Sequence, residues 1–411
     1  MHANGFQYET GRVFRQFHII ALIALVSIAW EAQAQEIRRA VPVTPPSSSD
    51  TEANPSSAIP PRSSQDPSSP DEQAKFLAGI DLPNGSRLGA LQSTPAYRDH
   101  MRQFSKTWSN FNTTHFNKMR AWSQSELAPK LPSASVLLYM FGGPDFINAF
   151  ALFPNMPIMV LCGLEPIGNV VAPEQLDDTR LASVLTALRT TTDSTLKWSF
   201  FIRKDMKVDF QRSDFQGVLP VLYTFLALSG NSIEQTTFLR AGGFPAVCIT
   251  YRQGPSSPKQ TLYYISGNLA NGSTGSLFSW ASSLGSSIGY LKAASYLMHQ
   301  DGFSSVRNFL LSRCSAILQD DSGIPYRYFS PNQWQISLYG KYTTPIELFK
   351  MRYQDDLRAA YETSGTVDFL PFGTGYRWRP GESNLMLAIR KTAGAIAVPP
   401  ADTFSHVPNT N

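Results

Sequence analysis

Two unbroken apolar runs, residues 136–141 and 158–162, stand out in the middle of the chain. The turn sequence Gly142-Gly143-Pro144-Asp145 and a short apolar segment of helical period lie between them. Parallel strands that are buried on both faces give unbroken apolar runs, and a dozen or more residues are needed for the crossover between them. We therefore predict two neighbouring parallel strands at the centre of an α/β sheet.

The pattern on either side of this unit also favours an α/β fold. An aromatic stripe from Tyr97 to Trp122 repeats at helical spacing and includes His115, which we expect to be a core residue without a catalytic role. Residues 246–251 and 261–265 predict an antiparallel hairpin, and residues 315–318 a further strand. The spacing of Ile288, Leu291, Ala294 and Met298 predicts a helix.

The chain begins with a pattern typical of a secretory signal. Arg12 and Arg15 precede an apolar run of twelve residues, 19–30, and a small-residue cleavage site at 32–34. We expect a signal peptide over residues 1–34, a Pro/Ser-rich disordered tether over 35–73, a single domain over 74–391 and a flexible tail over 392–411. The mature protein is thus expected to be exported, to a bacterial periplasm or the extracellular space.

Composition narrows the range of partners. The 411 residues include 35 Lys and Arg against 31 Asp and Glu, without a basic run, so we expect no nucleic-acid partner. No later stretch approaches the roughly 18 apolar residues of a membrane span, which predicts no stable membrane insertion after signal cleavage. Cys162, Cys248 and Cys314 lack metal-site spacing and are expected to be buried thiols, the alternative being a 162/248 bridge. We expect no cofactor and no metal.

Four carboxylates follow predicted strands and are the candidate catalytic residues: Asp145, Glu165, Asp320 and Asp321. Ligands of open α/β sheets bind at the carboxyl ends of the strands, where Gly142 and Gly143 would permit close backbone approach. The alternative is structural. Asp145 would cap the following helix, and the sequence at 319–323 would be an acidic turn bonded to its own backbone.

Basic and aromatic residues alternate near the carboxyl terminus. Tyr326, Arg327, Arg377 and Trp378 are candidate ligand-binding residues, because aromatic faces beside guanidinium groups suit a glycan or an anionic small molecule. The same alternation also arises in ordinary strands that point aromatic residues inward and Arg residues outward.

Two resemblances accompany these motifs. The segments 142–145, 163–166, 319–323 and 377–382 resemble segments of uncharacterised exported bacterial proteins. Residues 136–166 are similar to the first strand, glycine loop and acidic second-strand end of Rossmann-type methyltransferases. That resemblance implies a Rossmann-like sheet, with Gly142 and Gly143 near a cofactor and Glu165 on ribose hydroxyls. The predicted class is therefore α/β and Rossmann-like, with a mostly parallel central sheet, flanking helices and an antiparallel extension.

Three functional hypotheses follow from these observations. The first is a binding or structural role at the cell envelope toward a glycan or anionic ligand. The second is a hydrolytic enzyme that uses the four carboxylates, which would require them to converge in one pocket. The third is a degenerate methyltransferase-like protein without activity. We also predict that Asp145, Glu165, Asp320 and Arg327 line one cleft at the carboxyl edge of the sheet.

Overall fold

Our computed structural model describes residues 68–198, 217–272, 274–365 and 367–391. Within these residues, a nine-stranded mixed sheet forms the centre of the fold. The spatial order of its strands is β3-β4-β5-β2-β1-β6-β7-β9-β8. The strands are β1 (Val136–Tyr139), β2 (Ile158–Gly163), β3 (Ser232–Ala241), β4 (Phe244–Arg252), β5 (Gln260–Ser266), β6 (Ser287–Leu291), β7 (Cys314–Gln319), β8 (Trp334–Gly340) and β9 (Asn384–Arg390).

The α/β class is confirmed, and the sheet divides into a parallel centre and two antiparallel edges. The five strands β5-β2-β1-β6-β7 are parallel to one another. The hairpin strands β3 and β4 extend one side, and β9 and β8 extend the other. With four parallel and four antiparallel pairings, the whole sheet is mixed, and the prediction of a mostly parallel sheet holds only for its centre.

The predicted pairing of the two apolar runs is confirmed. Leu138 of β1 lies opposite Val160 of β2 and, on its other side, Gly289 of β6. Every residue of β1 is buried, because strands flank it on both edges and helices cover both faces. A side chain at this position has no route to water, which explains why the run contains no polar residue.

The predicted helix at residues 288–298 is wrong. Residues 287–291 form the central strand β6, and a 3₁₀ turn, Leu297–His299, follows a short irregular segment. The apolar residues Ile288 and Leu291 are buried on opposite faces of this strand, so their three-residue spacing matched a helix by coincidence. The helix that covers the sheet here lies just before, at Gly275–Ser283.

Helices cover both faces of the sheet. The first six helices along the chain pack on the sheet face that includes Leu137 and Tyr139. The next two helices pack on the opposite face, which includes Val136 and Leu138. The helices are α1 (Pro70–Leu77), α2 (Pro95–Phe111), α3 (Asn117–Trp122), α4 (Phe146–Leu152), α5 (Asp178–Trp198), α6 (Leu219–Leu228), α7 (Gly275–Ser283), α8 (Ser304–Arg313) and α9 (Asp355–Thr363). The predicted aromatic stripe spans α2, α3 and an intervening π-helical turn, Asn112–Phe116.

The folded domain begins earlier than predicted. Helix α1 starts at Pro70 behind a capping box between Ser69 and Glu72, and Ser68 is buried with its hydroxyl bonded to Glu174 at 3.0 Å. The predicted tether boundary at residue 73 is therefore wrong, because polar and proline residues that suggested a tether instead cap and start a helix. The predicted signal peptide, most of the tether and the tail at 392–411 lie outside the described residues.

Two findings concern the whole described part of the chain. Within the described ranges, no helix is both long and apolar enough to cross a membrane. Cys162, Cys248 and Cys314 are free, the first and third being buried and the second half-buried.

The strand order reverses direction at β1. The chain passes from β1 to β2 and β5 on one side and then returns to β6 on the other side of β1. In open α/β sheets, ligand sites lie at the carboxyl ends of the strands where the strand order reverses in this way.

Candidate functional site

Strand register brings Lys292 and Asp320 together at the carboxyl edge. Leu291 of β6 lies opposite Gln319 of β7, and the amide of Asp320 donates to the carbonyl of Leu291 at 3.1 Å. Lys292 directly follows the last residue of β6, and Asp320 directly follows the last residue of β7. Because side chains alternate along a strand, Lys292 shares a face with Tyr290 and Asp320 shares it with Leu318, which is the face that α1–α6 cover.

The centre of the site is a buried ion pair between Asp145 and Lys292. The ammonium Nζ lies 2.6 Å from Asp145 Oδ2, and the side chains are only 3% and 1% exposed. The Tyr139 hydroxyl donates to the same oxygen at 2.9 Å, while the Asn148 amide donates to Oδ1 at 2.7 Å. Asp145 stands at the N-cap of α4 but makes no capping hydrogen bond with its side chain, so the predicted capping role is wrong.

Asp320 lies beside this pair and accepts backbone hydrogen bonds from two segments. The amide of Ala293 donates to Oδ2 at 2.9 Å, and the amide of Ser322 donates to Oδ1 at 3.0 Å. The Ser322 hydroxyl also donates to Oδ1 and in turn accepts from the amide of Ala294 at 2.8 Å. Burial, followed by repulsion from Asp321, raises the pKa of Asp320 to about 7.

The segment that follows Lys292 is strained. Ala293, Ser295 and Tyr296 have φ of 50°, 50° and 54°, a conformation that costs a residue with a Cβ atom roughly 1–2 kcal/mol. The Tyr376 hydroxyl holds the segment in place. It accepts from the amide of Ser295 at 3.0 Å and donates to the carbonyl of Ala293 at 2.9 Å. Strain of this kind persists only where neighbouring groups enforce it, and it is concentrated at functional sites.

The loop at residues 142–145, with Gly142 and Gly143, lies against the end of β2 and beside Glu165. The amide of Gly143 donates to the carbonyl of Cys162 at 2.9 Å, and a Cβ atom on Gly163 would lie 2.9 Å from the Gly143 Cα atom. The same Cβ atom would lie 2.5 Å from Glu165 Oε2, so a side chain there would displace the carboxylate. The Tyr264 hydroxyl donates to the carbonyl oxygen of Glu165 at 3.0 Å, and Glu165 itself is half-buried.

Asp321 faces a different environment from Asp320. Its carboxylate accepts from the Tyr296 hydroxyl and from the Asn384 amide, the latter at 2.9 Å, while burial raises its pKa. A narrow pocket beside it, lined by Tyr326 among others, has room for only a water-sized molecule. Asp320 and Asp321 both line this pocket but Asp145 and Glu165 do not, so it does not bring the four candidate carboxylates together.

The described contacts of the basic and aromatic candidates lie elsewhere. Arg327 is exposed and lies over the ring of Tyr328 at 5.1 Å, so the prediction that it completes a shared cleft is wrong. Arg377 donates to the carbonyl of Thr344 at 2.8 Å. Trp378 packs against a small cluster that includes Tyr296. Tyr326 and Arg327 lie in a 3₁₀ turn between β7 and β8, and Arg377 and Trp378 lie in the connection between β8 and β9. None of these residues is in a strand, so the alternative of ordinary strand alternation is wrong.

His115 lies near Lys292 and is neutral. Burial, together with the nearby charge of Lys292, lowers its pKa to about 4. Its Nε2 atom donates to the carbonyl of Gly373 at 2.6 Å. No carboxylate contact accompanies it among the described residues, in keeping with the structural role expected for this histidine.

Sequence reasoning missed Lys292, Tyr139, Tyr290 and Ser322. The first and third were assigned to a helix, which would have separated Lys292 from Asp145. The stretch 287–291 lies between Ser286 and Lys292 and is only five residues long. This short length is the sequence signal that favours a strand, because buried strands are this short and buried helices are longer.

Neither similarity to known proteins nor a group of metal-ligating side chains identifies a ligand for this site. No family model matches the chain, and no curated protein or solved structure matches it either. In the described part of the chain, no group of three or more His, Cys, Asp or Glu side chains is placed to hold a metal ion.

Proposed function

We propose that the protein binds a small hydroxyl-bearing ligand of the sugar type at the carboxyl edge of β1 and β2. The observation that carries the proposal is the half-buried Glu165 carboxylate beside the open backbone of Gly143, where an added Cβ atom would meet only Glu165 Oε2, at 3.7 Å. A carboxylate accepts hydrogen bonds from two neighbouring hydroxyls, and glycine lets a ligand approach the backbone closely. Together they suit the vicinal hydroxyls of a sugar ring.

Charge favours a neutral ligand over an anionic one. Glu165, Asp145 and Asp320 lie along the same edge, and Lys292, the buried cation that the described residues place there, is already paired with Asp145. A phosphate or carboxylate would meet repulsion from these carboxylates, and the charge of Lys292 is already offset by Asp145. The glycan half of the original hypothesis is therefore the better supported.

The strand order supports a Rossmann-like arrangement. Numbered along the chain, the five parallel strands have the spatial order 3-2-1-4-5, the order of the first five strands of the doubly wound dinucleotide-binding fold. In that fold an acidic residue at the second strand binds ribose hydroxyls, and Glu165 occupies the equivalent position. Ribose is thus one ligand of the proposed class, and a methyltransferase-like protein without activity is one form the proposal takes.

The setting of the proposed function is the cell envelope. This part rests on the leader pattern of residues 1–34 and on the export it predicts. Outside the cytoplasm, a sugar-type ligand would be a free glycan or the end of a surface polysaccharide.

The test is equilibrium binding of D-ribose, adenosine and methyl β-D-glucopyranoside to the full-length chain. Replacing Glu165 by Gln removes a charged acceptor, so we expect the affinity to fall about tenfold or more. Glu347→Gln is the matched control, because that carboxylate is 70% exposed and pairs only with its helical neighbour Lys350 in the described contacts. Equal affinity in Glu165→Gln and Glu347→Gln would contradict the proposal.

A hydrolytic enzyme is the second candidate, and one observation favours it. Asp320 combines a pKa raised to about 7 with a position beside a buried ion pair, which is how a general base is prepared. This candidate predicts release of p-nitrophenol from aryl glycosides by the full-length chain and loss of that release in Asp320→Asn. Hydrolysis at an equal rate in both proteins would exclude Asp320 as the base.

A further inference from the structure

A buried arginine of α8 has no carboxylate partner in the described part of the chain. Arg307 is only 5% exposed, and its Nη1 atom donates to the carbonyl of Met298 at 2.7 Å. Its guanidinium carbon lies 4.4 Å from the centre of the Tyr328 ring. An arginine is almost never this buried unless its charge is paired, so the position of Arg307 requires a physical explanation.

A second arginine contacts the same aromatic ring. The guanidinium carbon of Arg327 lies 5.1 Å from the centre of the Tyr328 ring, and the Arg327 side chain is exposed. The 3₁₀ turn Tyr326–Tyr328, which follows β7, thus carries one cation and contacts another. An aromatic face attracts a guanidinium group but does not neutralise its charge. Two positive charges therefore meet at one ring.

A third arginine lies on a segment that packs against the turn after β6. The ring of Tyr296 lies 5.1 Å from the His299 ring and 4.9 Å from the Phe349 ring, centre to centre. These contacts join the 3₁₀ segment Glu347–Arg352 to the turn that contains His299. Arg352 ends this segment and is half-buried, so its guanidinium group is open to solvent.

The charges of the three arginines act together at His299. Burial, followed by the charges of Arg352, Arg327 and Arg307, lowers the pKa of His299 to about 3, so the imidazole is neutral. Among the described residues, none of the three arginines forms an ion pair with a carboxylate. Like charges that are held close together repel one another, and a bound anion offsets that repulsion.

We infer that Arg327 and Arg352 bind an oxyanion of the phosphate type and that the buried charge of Arg307 strengthens its attraction. The inference is independent of the proposed function. The guanidinium groups of Arg327 and Arg352 are reached from solvent, so the anion requires no enclosed cavity. Guanidinium donors match the oxygens of phosphate in geometry as well as in charge. A charge that is as buried as that of Arg307 is screened less by water and salt than an exposed one.

The first test is equilibrium binding of inorganic phosphate to the full-length chain, measured by isothermal titration calorimetry. Arg327→Gln and Arg352→Gln each remove one charged donor from a solvent-accessible position, and we expect each to weaken phosphate binding by about three- to tenfold. Arg98→Gln is the matched control, because Arg98 is exposed on α2 and its side chain makes no described contact. Its phosphate affinity should equal that of the parent.

Urea unfolding with and without phosphate tests the part of Arg307. A ligand that binds only the folded state stabilises it, so phosphate should raise the unfolding midpoint of the parent. The rise should be smaller in Arg307→Met, because that variant lacks the buried charge. An equal rise in the two proteins would overturn the contribution of Arg307, whereas the exposed variants test the site without altering a buried residue.

A free phosphate and the headgroup of an anionic lipid carry the same chemistry, and vesicles distinguish these two sources. Phosphatidylcholine vesicles with and without phosphatidylglycerol are sedimented with the parent, Arg327→Gln, Arg352→Gln and Arg98→Gln. Phosphate binding that depends on Arg327 and Arg352 would support a site for a free anion. Vesicle binding with the same dependence, without phosphate binding, would support a lipid headgroup. Equal losses in Arg98→Gln, or binding of neither probe, would overturn the inference.

Discussion

Removing the charge of Lys292 tests the buried ion pair on which the site is built. At 2.6 Å and an effective dielectric constant of about 20, the attraction between Lys292 and Asp145 is about 6 kcal/mol. Desolvation of the two ions offsets much of that attraction. In Lys292→Met the Asp145 carboxylate stays buried with only the Tyr139 and Asn148 donors, so we expect a loss of about 3–5 kcal/mol in unfolding free energy.

Urea unfolding followed by tryptophan fluorescence measures this loss, and two variants make it specific. Lys350→Met removes the lysine of an exposed pair with a similar separation, 2.7 Å to Glu347, and should leave the unfolding midpoint unchanged. The double variant Asp145→Asn with Lys292→Met removes both charges and should recover part of the loss. A Lys292→Met midpoint equal to that of Lys350→Met would refute the reasoning.

Three further perturbations follow from the same geometry. Gly375→Ala should lower the unfolding free energy by about 2–5 kcal/mol, because the added Cβ atom would lie 2.0 Å from Asp320 Oδ2. Its control is Gly365→Ala, which has a similar φ but open space around the added atom and should lower the unfolding free energy by about 1–2 kcal/mol in the same assay. Burial raises the pKa of Asp320 to about 7, so the folded state holds a proton that the unfolded chain releases. The unfolding free energy should therefore fall between pH 4 and pH 7, by up to about 4 kcal/mol, and should fall less in Asp320→Asn. An unchanged pH slope in that variant would assign the titration to another group. Leu138→Asp places a charge between Val160 and Gly289 and should abolish cooperative unfolding, so a soluble variant with a sharp transition would contradict the central position of β1.

The sequence predicted the elements whose burial leaves an unambiguous pattern. Strands β1 and β2 are covered on both faces, so Leu138 and Val160 had to be apolar together with their neighbours. Strand β6 is equally buried, but Gly289 and Ser287 interrupt its apolar run, and Ile288 and Leu291 happen to be three residues apart. A helix and a short strand are then indistinguishable from periodicity.

Only the site residues that come directly after predicted strands could be predicted from the sequence. Asp145, Glu165 and Asp320 were expected at one edge because each follows a strand, and the parallel pairings of β2, β1, β6 and β7 give their carboxyl ends one edge. Lys292 was missed because its proximity to Asp145 depends on β6 pairing with β1, a contact about 150 residues apart in sequence. Arg327 was assigned to the cleft from its sequence distance to Asp321, but the chain directs it toward Tyr328 and solvent.

The central claim is that a neutral sugar-type ligand binds at the carboxyl edge of β1 and β2, and an NMR titration tests it most directly. The full-length chain, labelled with nitrogen-15, is titrated with methyl β-D-glucopyranoside and with D-ribose while backbone amide signals are followed. The account predicts saturable shifts at Gly143, Gly163 and Glu165 that are lost in Glu165→Gln. Saturable shifts confined to the surroundings of Arg377 and Trp378, or none at all, would contradict it.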